Sequence, residues 1–184
     1  MAEINGFDIA GLKLIRPRKF GDERGFFSEV FRAEWLPDTV FVQDNHSLSE
    51  KRGTVRGLHY QKNPRAQGKL IRVIAGAILD VAVDIRWGSP TYGRHVAVEL
   101  SAANWSQLWV PAGFLHGFCT LTDATQVVYK VTDYYSPEHD AAVAWDDPDI
   151  GVSWPVSAAA VTLSAKDQAA PRLAEIGHPF QLEG

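Results

Sequence analysis

The stretch from Lys51 to Arg72 holds the side chains that are best suited, by type and spacing, to do chemistry. It has seven basic residues and no Asp or Glu, in a chain of 184 residues whose net charge is −4. Within it His59 follows Arg56 by three residues and precedes Lys69 by ten. Neighbouring cations favour a neutral imidazole that can accept a proton, and they attract an anionic substrate. We therefore interpret the stretch as the floor of an active site, with a solvated basic loop as the alternative.

Two residues far along the chain could act together with His59. Tyr129 lies in the alternating run 126–131, which predicts an inward-facing phenol. It is either a proton donor or a core aromatic whose hydroxyl is satisfied. Asp167 ends the helix capping-box pattern at 164–167. It is either part of that cap or a carboxylate that reaches His59, fixes its tautomer and stabilises the imidazolium.

The histidines also raise the question of a metal ion. Their motifs resemble those of cupins, in which a second histidine and a glutamate complete the first motif. Here Gln61 takes the place of that histidine, and residues 51–72 contain no Glu. His116, in the second motif, is intact after Pro111 and Gly113. Because two imidazoles without further ligands bind a divalent transition metal poorly, we predict no metal.

Phosphate-binding and nucleophile motifs of the usual kinds are not found in the sequence. There is no glycine-rich phosphate loop, no Gly-x-Ser-x-Gly elbow and no cysteine nucleophile pair. An anionic substrate would therefore be held by side chains such as Arg24, Arg56 and Lys69. The Tyr134-Tyr135 pair could stack on a base or a sugar. Because the chain is net acidic, no nucleic-acid partner is expected.

The composition is that of a globular domain. With 46% hydrophobic and 22% charged residues, the chain is long enough for one core. We predict a single domain over residues 1–184, with a C-terminal packing segment from about residue 150. The lone cysteine, Cys119, fits a reducing, cytoplasmic setting, and the N-terminus lacks a signal-peptide pattern. The most apolar run, 74–85, is too short to span a bilayer, so no membrane partner is expected.

Short runs rich in Val, Ile and aromatic residues alternate with Gly, Pro and Asp turns. This texture predicts an all-β antiparallel sandwich or barrel with a few short peripheral helices, and the tail from Ser164 on contains Ala-rich helical turns. The predicted strands are 12–15, 27–31, 39–42, 69–75, 77–86, 94–100, 107–110, 116–121 and 126–132. In 77–86 the apolar side chains share one buried face, while Asp80 and Asp84 share a wetter one.

Eight strings of residues resemble one family when they are taken together and in order. They are Gly21-Asp22-Glu23-Arg24-Gly25-Phe26-Phe27, Phe41-Val42-Gln43-Asp44-Asn45-His46-Ser47, Arg56-Gly57-Leu58-His59-Tyr60-Gln61, Gln67-Gly68-Lys69, Pro111-Ala112-Gly113-Phe114-Leu115-His116-Gly117-Phe118, Tyr129-Lys130-Val131-Thr132-Asp133-Tyr134-Tyr135, Trp145-Asp146-Asp147-Pro148 and Ser164-Ala165-Lys166-Asp167. They resemble the dTDP-4-dehydrorhamnose 3,5-epimerase family over nearly the whole chain. The resemblance implies a metal-free, cupin-type antiparallel jelly-roll barrel that forms a homodimer. It also implies dTDP-4-dehydro-6-deoxy-D-glucose as the nucleotide-sugar substrate, in dTDP-L-rhamnose biosynthesis.

The resemblance further implies a role for each site residue. His59 would be the base, Asp167 the carboxylate that orients it, Tyr129 the acid on the opposite face and Lys69 the cation that stabilises the enolate. The implied substrate contacts are Arg24, Phe27, Glu29, Gln43, Asn45, Arg56, His116, Tyr135, Asp140 and Lys166. Asp140 departs from the family pattern, where a Glu is expected, so its side chain reaches less far.

The implied reaction agrees with the chemistry of these residues. The C3 and C5 protons of the sugar both lie alpha to the C4 ketone, so a positioned base can remove either of them. A cation then stabilises the enolate, and an acid on the other face returns a proton with inversion. No redox step occurs, so no cofactor is needed. Two alternatives stay open: an epimerase acting only at C3 in a deoxysugar pathway, and a non-catalytic sugar- or metal-binding cupin.

Overall fold

A computed structural model describes residues 2–182, and nearly all of its regular structure is β-strand. The helices are a single turn, α1 (Ala165–Gln168), and two 3-10 turns, Ala33–Trp35 and Leu173–Glu175. The described residues form fifteen strands: β1 (Glu3–Gly6), β2 (Lys13–Arg16), β3 (Phe20–Asp22), β4 (Gly25–Phe27), β5 (Gln43–Ser49), β6 (Val55–Gln61), β7 (Lys69–Ala75), β8 (Ala77–Asp84), β9 (Arg86–Trp87), β10 (His95–Ser101), β11 (Gln107–Val110), β12 (Phe114–Thr120), β13 (Thr125–Val131), β14 (Asp140–Ala142) and β15 (Phe180–Gln181). The predicted all-β class with a few short helices is confirmed. No helix in these residues is long and apolar enough to cross a membrane.

Two antiparallel sheets enclose the main core. The larger has the strand order β1-β2-β11-β7-β13-β5, and the smaller has the order β10-β8-β12-β6-β14. From β5 to β8 the chain alternates between the two sheets, so each connection crosses from one sheet to the other. Ile71 and Leu108 from the larger sheet pack with Ile78 and Phe118 from the smaller one in a single buried cluster. The inward faces of both sheets therefore build the core and border any cavity within it.

Each sheet also carries an apolar layer on its outer face. Leu173 and Phe180, from the C-terminal segment, pack against Val81 and Leu115 of the smaller sheet. On the larger sheet, residues 31–41 cover a second patch that includes Leu70 and Trp109. Both sheets are thus sandwiched where these segments lie, and both faces of their central strands are dry there.

The prediction that Asp80 and Asp84 share a wetter face of β8 is wrong, because both residues are 0% exposed. Asp80 lies on the same face of β8 as Ile78 and Ala82, which belong to the core between the sheets. The C-terminal segment buries the opposite face of the strand, so a period of two no longer separates buried from exposed positions. The two carboxylates must therefore find partners inside the protein.

Two predicted strands are also wrong. The strand expected at 27–31 ends at Phe27, and residues 39–42 precede a strand that starts at Gln43. That strand, β5, was overlooked because its inward side chains are polar, unlike the apolar alternation on which the prediction relied. The other predicted strands agree with β2, β7, β8, β10, β11, β12 and β13 to within two residues at each end.

Candidate active site

An irregularity in β6 brings the arginine and the histidine of the basic stretch onto one face. His59 pairs with His116 of β12, and Arg56 pairs with Phe118, so three steps along β6 face two along β12. This bulge turns both side chains toward the space between the sheets, although strict alternation would separate them. Gly57 adopts a φ of 126° in the bulge, and a Cβ atom at this position would lie 2.6 Å from the Cα atom of Gly117 in β12. Only glycine fits this position.

A cavity of about 410 Å³ opens between the two sheets at this bulge. Its walls come from the smaller sheet, the larger sheet and the segment that precedes and includes α1. The polar residues that line it include Ser47, Arg56, His59, Lys69, His116, Tyr129, Ser164 and Asp167. The segment before α1 is fixed to the smaller sheet, because Thr162 forms a β-bridge with Thr54. Two of the seven basic residues of the stretch, Arg56 and Lys69, therefore line the cavity from strands. Four others are exposed and lie outside the strands, as the alternative of a solvated loop predicts: Lys51, Arg52, Lys62 and Arg65.

His59 and Asp167 form a hydrogen-bonded pair within this cavity. The Nε2 atom of His59 lies 2.5 Å from Oδ1 of Asp167, whose side chain is 3% exposed. Burial alone would raise the pKa of this carboxyl, but hydrogen bonds from His59, Ser164 and a backbone N–H bring it below the ordinary value. The carboxylate is therefore ionised and accepts, so Nε2 carries the hydrogen and Nδ1 is left to accept a proton.

The helix cap at Asp167 coexists with this pairing. Ser164 is the N-cap of α1 and accepts the Asp167 backbone N–H at 3.1 Å. Its hydroxyl donates in turn to the second carboxylate oxygen at 2.9 Å. The two alternatives weighed for Asp167 are thus one arrangement, in which the cap fixes the carboxylate that contacts the histidine.

Tyr129 lies across the cavity from His59, since the two residues belong to opposite sheets. Burial raises the pKa of its phenol, and the charge of Asp140 adds to this, whereas Arg56 acts in the opposite direction. The phenol therefore holds its proton at neutral pH. It can donate that proton to a group in the cavity.

Lys69 brings a cation into the lining beside the two candidate proton carriers. Burial lowers the pKa of its ammonium to about 8, although the charges of Asp140 and Asp80 oppose this. At pH 7 most of the lysine is still protonated. A half-buried ammonium is screened less by water than an exposed one, so it stabilises a nearby oxyanion more strongly.

A second imidazole–carboxylate pair lies in the cavity wall, and the sequence indicated only half of it. His116 Nε2 lies 2.7 Å from Oδ1 of Asp80, and both side chains are buried. The pair fixes the orientation of the His116 ring. Asp80 was missed because alternation assigned it to a wetter face. The available signal was a carboxylate in the middle of the strand Ala77–Asp84, where its neighbours on both sides are apolar.

Arg56 is held over the cavity by β5. Its Nε donates to Ser49 Oγ at 3.1 Å, and its Nη2 donates to the Leu48 carbonyl at 3.0 Å. These bonds fix the guanidinium plane while leaving Nη1 without a hydrogen bond among the described residues. An arginine held in this way can present its free edge to an anion.

Five of the expected nucleotide contacts form one chain of hydrogen bonds. Gln43 donates to Asn45 at 2.8 Å and accepts the Tyr135 backbone N–H at 3.2 Å. The Tyr135 hydroxyl donates to Asp140 at 3.0 Å, which raises the pKa of the phenol, and Lys166 pairs with the same carboxylate. Because Lys166 and Asp167 are adjacent in α1, this network adjoins the histidine–carboxylate pair. The ring of Tyr135 is 57% exposed and could stack on a planar group.

Three expected contacts, Arg24, Phe27 and Glu29, do not lie in the lining of this cavity. Arg24 pairs with Asp22 in the β3–β4 hairpin, and Glu29 pairs with Arg32. The Phe27 ring is 66% exposed. These three residues neither line the cavity nor join the network of hydrogen bonds beside it, so within one chain they are apart from the other eleven site residues.

The described residues contain no group of three or more His, Cys, Asp or Glu side chains that could hold a metal ion. Gln61, which stands where a cupin ligand was considered, is fully engaged in local structure. Its amide donates to the carbonyls of Arg65 at 2.6 Å and Tyr134 at 3.2 Å, and it accepts the Ser136 N–H at 2.7 Å. Gln61 thus anchors the loop that carries the aromatic pair.

Comparisons with known proteins agree with this geometry. The family model described as dTDP-4-dehydrorhamnose 3,5-epimerase matches residues 6–175. A protein of that name from Sinorhizobium fredii is 59% identical over 177 residues, which cover 94% of this chain and 90% of that protein. The crystal structure of dTDP-6-deoxy-D-glucose-3,5-epimerase from Legionella pneumophila, in complex with dTDP-4-keto-L-rhamnose, matches with a TM-score of 0.94 at 44% identity and covers 100% of both chains.

A relative with a different printed specificity has the same fold. The 3′-monoepimerase ChmJ from Streptomyces bikiniensis, in complex with dTDP-quinovose, matches with a TM-score of 0.85 at 36% identity, covering 91% of this chain and 86% of that one. The predicted cupin-type jelly roll is confirmed by these structural matches. The extent of the family match and the identity over almost the full length lead to one conclusion: this chain belongs to the dTDP-4-dehydrorhamnose 3,5-epimerase family.

Proposed function

We propose that this protein inverts C3 and C5 of dTDP-4-dehydro-6-deoxy-D-glucose and so produces dTDP-4-dehydro-L-rhamnose. It is a carbohydrate epimerase of dTDP-L-rhamnose biosynthesis that uses no cofactor. The observation that carries the proposal is one cavity with a His59–Asp167 pair on one side and the Tyr129 phenol on the other. A base and an acid on opposite faces of a sugar are what inversion through an enolate requires.

The proposed reaction proceeds at each centre in two steps. His59 Nδ1 removes the proton alpha to the C4 ketone, and Asp167 stabilises the resulting imidazolium. The electron pair moves onto the C4 oxygen, where Lys69 stabilises the negative charge, with His116 nearby. Tyr129 then donates its proton to the carbon from the opposite face. The configuration inverts, and no electron leaves the sugar.

The nucleotide would bind along the network beside α1. Tyr135 offers an exposed ring to the thymine, and Gln43, Asn45, Asp140 and Lys166 offer polar groups around it. Arg56 provides a positive charge for the diphosphate. Asp140 and Lys166 already pair with each other, so the nucleotide would meet a preorganised site.

We further propose a cytoplasmic homodimer in which the β3–β4 hairpin of each chain completes the partner's site. The hairpin carries Arg24 and Phe27, neither of which lines the cavity of its own chain. Three of its rings, Phe20, Phe26 and Phe27, are 49%, 57% and 66% exposed. A hairpin that exposes three aromatic rings is expected to be covered by a partner. Glu29, just after β4, would contact the substrate from the same side.

The reaction is tested by incubating the protein with dTDP-4-dehydro-6-deoxy-D-glucose in deuterium oxide and reading the label by NMR. We expect deuterium at both C3 and C5, and its loss in His59→Ala. Label at C3 alone would instead assign the activity of a 3-epimerase. No label at either carbon, from protein that binds dTDP, would leave a non-catalytic nucleotide-sugar-binding protein.

Mixing two inactive variants tests the shared site. If Arg24 acts in the partner's cavity, His59→Ala and Arg24→Ala homodimers are each impaired. Co-refolding them should restore activity, because the heterodimer has one site with both residues intact. Activity that stays at the level of the separate variants, in a sample shown to contain heterodimer, would place Arg24 outside the partner's site.

A further inference from the structure

One hydroxyl at the candidate active site has no partner. Among the described residues, two buried side-chain polar atoms lack a hydrogen bond: Ser47 Oγ and Asp80 Oδ2. Asp80 still bonds to His116 through its other oxygen, whereas the Ser47 hydroxyl bonds to nothing. Buried hydroxyls are nearly always paired, so one in a cavity wall that has no partner within the protein is available to an atom that enters the cavity.

Ser47 belongs to a polar stripe that β5 directs into the barrel. Alternate residues of this strand, Gln43, Asn45, Ser47 and Ser49, are half-buried or buried, while the residues between them are exposed. Gln43 bonds to Asn45, and Ser49 accepts from Arg56. Three members of the stripe thus have partners within the protein, and only Ser47 is left to bind something else.

The surroundings of Ser47 define the chemistry of its ligand. The residue lines the cavity together with Arg56 and Tyr129. In the pairing of β5 with β13, Ser47 faces Val127, two residues before Tyr129 on the same face of the strand. A hydroxyl beside a fixed guanidinium suits an oxygen acceptor, and the substrate carries such oxygens on its diphosphate and on its hexose.

We propose that Ser47 Oγ donates a hydrogen bond to an oxygen of the bound nucleotide sugar, next to Arg56. This inference rests on the proposed function, because it needs a nucleotide sugar in the cavity. It adds a binding residue that neither the basic stretch nor the histidine–carboxylate pair had indicated. No protein group competes for the Ser47 hydroxyl, so it is available to the substrate.

The test uses Ser47→Ala and Ser47→Cys, which remove the oxygen, and Ser47→Thr, which keeps a hydroxyl. Binding is measured by isothermal titration with two ligands. The first is dTDP, which has the diphosphate but no hexose, and the second is unreactive dTDP-glucose, which has both. We expect the Ala and Cys variants to bind roughly 10- to 100-fold more weakly, the range of a hydrogen bond to a charged group. Equal weakening of both ligands assigns the diphosphate, and weakening of dTDP-glucose alone assigns the hexose.

The melting temperature of the free protein is a second measurement, and we expect it to stay the same or rise in the variant whose ligand affinity falls. Removing an unpaired buried hydroxyl takes away a desolvation cost, so Ser47→Ala should melt at or above the wild-type temperature in the absence of ligand. The matched control is Ser106→Ala, because Ser106 is also buried but its hydroxyl accepts from Arg16, outside the cavity. That variant should keep wild-type affinity.

Unchanged affinity of Ser47→Ala for both ligands would overturn the inference, as would a fall in melting temperature with no fall in affinity. The proposed function survives either result, provided that the wild type still incorporates deuterium at C3 and C5. A wild type that binds neither ligand overturns the proposed function, and the inference with it. The Cys variant, which is close in size, keeps the test valid if the Ala variant folds poorly.

Discussion

His59 Nε2 lies 2.5 Å from Asp167 Oδ1, although 108 residues separate them in the sequence. The two come together because β6 carries the histidine on its inward face and the C-terminal segment is fixed beside it by the Thr54–Thr162 bridge. The carboxylate is set by the first turn of α1, through the Ser164 cap. A rigid helix start therefore determines the tautomer of a residue on a strand.

Replacing Asp167 with Asn should remove the orienting charge while keeping the size of the side chain. An amide can present its NH2 group to Nε2 and so favour the wrong tautomer, and it cannot stabilise the imidazolium. We expect kcat to fall by about 10³-fold or more, as in comparable His–Asp pairs. Deuterium incorporation at C3 and C5 measures the effect, with the exposed Asp149→Asn as the control. Near-normal exchange in Asp167→Asn would show that His59 acts without its partner.

Tyr129→Phe should separate proton abstraction from inversion. His59 can still remove a proton, and it can return a deuteron to the same face. The variant should therefore exchange deuterium into unchanged substrate, while product formation falls by about 10²- to 10⁴-fold, the usual contribution of a general acid. NMR distinguishes labelled substrate from labelled product in one sample. Wild-type product formation would exclude Tyr129 as the acid.

Lys69 should give the pH profile of kcat/KM its alkaline limb. Its pKa near 8 means that the ammonium, and with it the stabilisation of the enolate, is lost as pH rises through about 8. The raised pKa of Tyr129 places loss of the acid at a higher pH. Lys69→Arg keeps a charge at all these pH values, so any activity it retains should lack the limb near 8. An unchanged limb in this variant would assign it to another group.

The sequence predicted the parts of this fold that follow simple alternation, and it missed those in which function or a second layer intervenes. The strands at 69–75 and 107–110 were correct to the residue because turn residues mark their ends: Gly76 follows the first strand and Pro111 follows the second. The strand β5 was missed because it turns polar residues inward to line a cavity. The burial of Asp80 was missed because only tertiary structure shows that both faces of its strand are covered.

The candidate site was anticipated mainly through the family resemblance. The alternation of apolar residues predicted that Tyr129 faces inward. It could not predict that His59 and Arg56 share a face, since a bulge of one residue reverses the alternation locally. Nor can the spacing of residues indicate that α1 meets β6. The position of Arg24 outside the cavity is likewise invisible in the sequence of a single chain.

Asp84 should make the free energy of unfolding depend on pH in the acidic range. Burial opposes its ionisation, but hydrogen bonds from Arg86, Ser89 and Thr91 lower its pKa from 3.8 to about 2. Because the folded-state value is the lower one, the stabilisation is complete above about pH 4 and is lost as pH falls through 2. It amounts to about 2 kcal/mol, at 1.36 kcal/mol per pKa unit.

Asp84→Asn should accordingly reduce the free energy of unfolding at pH 7 by about 3 kcal/mol, since the half-buried Arg86 is left without its carboxylate partner. Urea titrations at pH 7 and at pH 2.5–3 (about one unit above the folded-state value) measure the effect. The difference between variant and wild type should shrink at the lower pH. A difference that does not change with pH would mean that packing, and not charge, is what the variant removes.

The bulge that forms the site should depend on Gly57, and a second glycine allows the cause to be isolated. A Cβ at Gly57 would lie 2.6 Å from Gly117 Cα and 2.8 Å from the His116 carbonyl oxygen, both of them backbone atoms that cannot rotate away. Gly88 also has a positive φ, 88°, but a Cβ there would meet nothing within 4 Å. Gly88→Ala should therefore cost about 1–2 kcal/mol from backbone strain alone. Gly57→Ala should cost more than about 3 kcal/mol and should displace His59, so that deuterium exchange falls even in the fraction that remains folded. Equal losses of stability in the two variants, with exchange intact, would show that β6 can relax around the added methyl group and that the bulge does not set the geometry of the site.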